Sequence, residues 1–195
     1  MQADFSIELG RDDETLEFPW SSESGPQYYD LKRHPELLAQ VEEAAHFPEL
    51  AEFLASVNSP ATMVETAKCD VWFSTDINPE EEIFGVPSKF GSYIDLVLSD
   101  ENVRDSFAEH ENLARRFSEL LKRVPEIPAS AEFLVRRCYY HPTGEQLRSE
   151  EFREGFYLTF YLFGYGDDEK QARQRWGIAL KLAENALRQL SAKKS

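Results

Sequence analysis

Cysteine is scarce. Two thiols, Cys69 and Cys138, in 195 residues cannot form a disulfide framework, so the sequence predicts reduced, buried cysteines in a cytoplasmic protein. Long apolar runs are also missing. Charges interrupt each one well before the roughly 18 residues that a membrane-spanning helix needs, and no membrane association is expected. The first residues, MQADFSIELGRDDE, carry neither a basic nor an apolar leader region, and no secretory signal is expected. Positive charge is short: 21 Lys and Arg stand against 36 Asp and Glu, a net charge of −15. Nucleic-acid binding, which needs clustered cations, is therefore not expected.

The motifs of common chemistries are absent too. There is no G-x-x-x-x-G-K phosphate loop, no G-x-G-x-x-G and no C-x-x-C. His34, His46, His110 and His141 lack the spacing of a zinc pair. Asp76-Ile77-Asn78-Pro79-Glu80 imitates the opening of a calcium loop, but Glu81 stands where that loop needs Gly and Pro87 where it needs Glu. A solvated acidic loop is the simpler account of Asp76, Glu80, Glu81 and Glu82 than a loose divalent-ion contact. A Cys138–His141 dyad is disfavoured, because an offset of three along a strand puts the two on opposite faces. No cofactor, no metal site and no catalytic residue is assigned.

What is present is a core. Hydrophobic residues make up 42% of the chain and aromatics 13%, enough for one packed domain over residues 1–195. Acid is concentrated in residues 1–60, with 13 acids against 3 bases, whereas the remainder holds 23 against 18. That excess serves solubility or forms a face for a cationic partner.

Along the chain, Phe5-Ser6-Ile7-Glu8-Leu9 and Leu16-Glu17-Phe18 alternate around Gly10–Asp13, which reads as an N-terminal hairpin or two short extended pieces. Pro19–Pro26 is a connector, followed by short helices that begin near Pro35 and Pro48. Strands are expected over 63–74, 92–98, 131–140 and 155–163, and helices over 100–123 and 168–190. The apolar positions Val103, Phe107, Ala114, Phe117, Leu121 and Val124 form the stripe of the first long helix. Asp167-Asp168-Glu169 suits the start of the second.

From residue 61 onward the order strand, strand, helix occurs twice, over 61–128 and 129–195. An offset of 69 aligns Cys69 with Cys138, Phe107 with Trp176, Ala114 with Ala183 and Leu121 with Leu190. An offset of 64 aligns Gly91 with Gly155 and Tyr93 with Tyr157. One ββα unit cannot bury its apolar face alone. The expected fold is therefore α+β: duplicated ββα units forming a four-stranded antiparallel sheet with two helices on one face, plus the N-terminal hairpin and helical extension. The strands that carry Cys69 and Cys138 are expected side by side.

Alternation then divides the sheet. Phe156, Leu158, Phe160 and Leu162 face the helices, as do Ile94, Leu96 and Leu98, and Cys69, Val71 and Phe73. The far face collects Lys68, Asp70, Trp72, Tyr93, Asp95, Arg137, Tyr139, His141, Tyr157, Thr159 and Tyr161. Such a face suits recognition, because tyrosine offers both contact area and a hydroxyl. The alternative is that the N-terminal hairpin and helices pack over it as a third layer. The expected function is a non-enzymatic binding or interaction protein, with a homodimer or a protein partner on this face. A small-molecule enzyme using the same face and an acidic inhibitor or immunity-type protein are the alternatives.

Overall fold

The computed structural model describes residues 1–10, 12–21, 27–141 and 152–192, without the side chains of Glu82 and Ile83. Residues 22–26 of the expected connector lie outside the described residues. The fold is α+β. Six strands, β1 (Gln2–Ile7), β2 (Thr15–Phe18), β3 (Val64–Ser74), β4 (Ser88–Leu98), β5 (Ala129–Tyr140) and β6 (Arg153–Gly166), form one mixed sheet. Helices α1 (Glu42–His46), α2 (Pro48–Val57), α3 (Phe107–Lys122) and α4 (Glu169–Ala192) pack on one side of it.

The strand order is β1-β5-β6-β4-β3, with β2 also pairing β5. The strands β3, β4, β6 and β5 pair antiparallel with one another in that order. The sheet is nevertheless six-stranded and mixed rather than four-stranded and antiparallel, because β1 and β2 add to β5 in parallel. Nor do these two form a hairpin. β1 runs along Ser130–Val135 and β2 along Arg137–Tyr140, end to end on one edge. The chain does not reverse between β1 and β2; both run the same way along one edge of β5. Arg136 ties the loop down, with its guanidinium 2.7 Å from Glu8 and 3.1 Å from Glu14.

The cysteines are not neighbours. Cys69 lies on outer strand β3 and Cys138 on β5, with β4 and β6 between them. They also face opposite ways. Cys69 pairs with Ile94 and packs against the helix-side core, whereas Cys138 belongs to the cluster on the far side. An offset of 64 carries Ile94 onto Leu158, which pairs with Val135, so pairing makes Val135 the counterpart of Cys69. Assigning the β5 faces through the cysteines therefore inverted that strand.

The core shows why the helices sit where they do. Phe133 and Phe160 stack with centroids 4.9 Å apart, and Phe117 of α3 lies 4.5 Å from Phe133. Ser106 caps α3 by accepting from the amide of Glu109, and Asp168 does the same for α4 at Gln171. The buried Trp176 indole of α4 donates to Ser92 Oγ at 2.9 Å. Close approach of α4 needs glycine on β6. A Cβ at Gly164 would lie 2.2 Å from the Trp176 amide nitrogen, and one at Gly166 would lie 2.5 Å from that of Ala172. None of the described helices is long and apolar enough to cross a membrane.

Candidate binding face

The side of the sheet away from the helices has two halves. One is covered. From β2, the chain crosses from the β5 edge to the β3 edge, and Phe18, Trp20 and Tyr28 pack on Leu16, Ala67, Val97, Cys138, Tyr140 and Tyr157. The Trp20 indole donates to the Ala67 carbonyl at 2.7 Å. Arg104 inserts its guanidinium 5.3 Å from the Phe18 ring and 5.0 Å from the Tyr140 ring, and pairs with the buried Glu65. Lys32 anchors the far end, donating to the carbonyls of Ser59, Thr62 and Val64. A covering layer is present over this half alone, but it is the segment of Phe18, Trp20 and Tyr28 rather than a hairpin and the helices, which pack on the other side.

The other half is an aromatic ladder. Trp72 of β3 lies 6.5 Å from Tyr93 of β4 and 5.9 Å from Phe163 of β6. Tyr93 lies 6.1 Å from Tyr161, and Tyr161 and Phe163 are parallel at 6.4 Å. All four rings are half-buried rather than enclosed. The ladder forms because β-strand period 2 stacks residues 157, 159, 161 and 163 on one side, while direct pairing places Tyr161 opposite Tyr93 and Phe163 opposite Gly91. Gly91 leaves the space: a Cβ there would come within 2.8 Å of the Phe163 ring. Phe163 also borders a cleft of about 710 Å³, which runs past Lys89, Glu132 and the Asn78–Phe84 segment to the N-terminus.

Beneath the ladder runs a polar chain. Arg136 reaches Thr159 Oγ1 at 3.4 Å, and that hydroxyl donates to Asp95 Oδ1 at 2.7 Å. Asp95 is 3% exposed. Burial pushes its carboxyl up to about 7, against the opposing pull of the Thr159 hydrogen bond. The Tyr157 hydroxyl is buried, without a hydrogen-bond partner among the described residues, and burial raises its pKa. Burial likewise raises Tyr93, and the charge of Asp95 adds to it.

Of the residues expected on this face, Asp70, Trp72, Tyr93 and Tyr161 are brought together on its open half, and Asp95 and Thr159 lie on the same side but are buried. Tyr157 is on the same side but buried under the covering segment. Lys68 stands at the β3 bulge, its ammonium 4.9 Å from the Trp20 ring centroid. Arg137, Tyr139 and His141 do not join them. Arg137 shares its side of β5 with Phe133 and Val135 and donates to the Leu9 carbonyl, and Tyr139 packs on Phe152 at 4.5 Å. His141 follows the end of β5, 3.5 Å from the Glu17 carboxylate. Their places on the far side belong to Glu132, Leu134, Arg136, Cys138 and Tyr140. The sequence signal for Arg136 was its charge, since an Arg on the side of β5 assigned to the core speaks against that assignment; the structure buries it on the far side. Phe163 was legible by continuing the alternation of β6.

Around the ladder the cations are already engaged. Lys89 pairs with Glu81 at 2.7 Å and lies 5.5 Å from the Phe163 ring, and Arg136 holds Glu8 and Glu14. Asp70, Glu80 and Glu132 are exposed at the rim. No group of three or more His, Cys, Asp and Glu among the described residues is arranged to hold a metal ion. Glu81 of the acidic loop is engaged with Lys89 and Tyr165 instead. Comparison of the chain with protein-family models, with curated proteins and with solved structures finds no match.

Proposed function

We propose that the protein is a non-enzymatic binding module whose open sheet face captures a cationic segment of a partner protein. The observation that carries this reading is the ladder of Trp72, Tyr93, Tyr161 and Phe163, half-exposed and rimmed by the exposed carboxylates of Asp70 and Glu132. Aromatic faces attract the alkyl stems and charged heads of Arg and Lys, and the carboxylates favour the same charge. The net charge of −15 adds long-range steering toward a basic partner. The acidic inhibitor alternative would instead place its basic partner on residues 1–60. Two free cysteines are consistent with a reducing, cytoplasmic setting.

The succession β3-β4-α3 and β5-β6-α4, with the second strand of each unit central, supports reading residues 61–128 and 129–195 as copies of one ββα unit. On that reading the two copies joined β4 to β6 and so made the ladder, which neither unit has alone.

A small-molecule enzyme is the weaker reading. Its one favourable group is Asp95, held near neutrality, but Arg137, Tyr139 and His141 lie elsewhere. A titration tests the main reading. The full chain is mixed with a short peptide of alternating Arg and Leu, and with its Glu and Leu counterpart, while Trp fluorescence is read. Saturable binding of the Arg peptide alone, lost in Tyr161→Ala, which keeps the Trp72 reporter, and weakened by salt, is expected. Equal binding of both peptides, or light scattering showing that this face is closed in a homodimer, would refute it.

A further inference from the structure

We propose that the cleft beside the outer edge of β3 is a binding site for a small organic amine with an apolar or aromatic body. This cleft, of about 320 Å³, spans the outer edge of β3, between the segment that carries Trp20 and the helical extension. It falls within the size range of small-ligand pockets. Leu31, Val41 and Leu54 give it an apolar floor, and Trp20 and Tyr29 give it aromatic walls. Glu42 and Glu43 supply carboxylates, against the single cation Lys68.

The chain already seats an ammonium here. The Lys68 Nζ stands 4.9 Å from the Trp20 ring centroid, a cation on an indole face. Trp20 is held in place because its N–H is committed to the Ala67 carbonyl. The β3 bulge, where register jumps between Thr66 and Cys69, turns residues 67 and 68 out of the regular ladder and brings Lys68 to that ring. The negative field reaches inside: the Cys69 thiol, in the cleft wall, has its pKa raised by burial and then by Glu43. An anionic ligand would meet the net negative charge of the cleft, and a neutral one would gain nothing from it. An ammonium gains both the ring and the carboxylates, in competition with Lys68. The site does not depend on the reading of the open sheet face.

The test is an NMR titration of the full chain with phenethylamine, with 2-phenylethanol and 3-phenylpropanoate as the neutral and anionic counterparts. The three indole N–H signals report different places: Trp20 the cleft, Trp72 the ladder and the buried Trp176 the integrity of the fold. A saturable shift of the Trp20 signal with phenethylamine is expected, with Trp72 and Trp176 unmoved. Glu43→Gln should weaken that binding about 3-fold and Lys68→Met should tighten it about 3-fold, the size of one exposed ion pair or cation–π contact. A tightening cannot come from damage to the fold. No saturation below about 10 mM, the affinity floor for a ligand of this size, would overturn the site. Equal binding of all three compounds, or indifference to both substitutions with Trp176 unmoved, would overturn it as well.

Discussion

Thr159 and Asp95 stand directly opposite each other on the two central strands, and the threonine hydroxyl donates to the carboxylate at 2.7 Å. Arg136 in turn reaches Thr159, but its strong partners are Glu8 and Glu14. Asp95 thus sits at the inner end of a chain whose positive charge is spent at the outer end. Burial therefore dominates, and the carboxyl is held near 7.

Asp95 makes stability pH-dependent. Its folded pKa is raised above the unfolded value of 3.8, so the folded state holds the proton more tightly. Below both values the group costs nothing. As pH rises from about 4 to about 7 the unfolded chain ionises first and stability falls. Asp95→Asn removes this loss while keeping an oxygen for Thr159 to donate to. The variant should gain on the wild type over that window, by on the order of 2–4 kcal/mol at pH 8, measured by urea unfolding at several pH values. A difference that does not change with pH would contradict it.

The covered half of the far face depends on Arg104. Its guanidinium lies between Phe18 and Tyr140 and neutralises Glu65, whose carboxyl burial pushes above its usual range. Arg104→Met leaves that carboxylate buried and should cost about 3–5 kcal/mol at neutral pH. Adding Glu65→Gln should recover part of the loss, and the single variant should be less impaired at acidic pH, where Glu65 is protonated. Denaturant midpoints of the two variants at pH 5 and pH 8 check this.

Two glycines on neighbouring strands separate fold from surface. Gly164→Ala drives a methyl into the backbone of α4, with Trp176 N at 2.2 Å, and should cost roughly 3 kcal/mol or more. Gly91→Ala meets only the rings of Phe163 and Trp72, which can swing outward. It should cost about 1 kcal/mol while disordering the ladder. Thermal unfolding of both variants, with the Trp72 indole signal of the second, measures the contrast. A Gly164→Ala protein as stable as Gly91→Ala would rule out the close approach of α4.

Much of the architecture was legible because its signals were local. The stripe from Phe107 to Leu121 specified α3, and the alternation in Phe156–Phe163 specified both faces of β6. Tyr93, Asp95 and Tyr161 followed from the same period. What failed was set by pairing. Nothing in Gly10–Asp13 tells a reversal from an excursion; the Arg136 contacts to Glu8 and Glu14 make it an excursion, and they lie more than 120 residues apart in sequence. β5 is buried on both sides from Phe133 to Arg136, so period 2 carried no information, and the cysteines gave the wrong phase. Gly164 and Gly166, beyond the expected end of the strand at 163, lie in a strand that the helix crosses closely.

The most direct test of the proposed binding face is a selection. A library of random short peptides is displayed and captured on the wild-type chain and, in parallel, on Trp72→Ala/Tyr161→Ala, and the retained peptides are sequenced. Wild-type capture should enrich Arg and Lys, and the enrichment should vanish with the double variant while its buried Trp176 indole signal shows that it remains folded. Retained peptides of neutral or acidic character, or the same basic set on the double variant, would contradict a cation-binding role for the aromatic ladder.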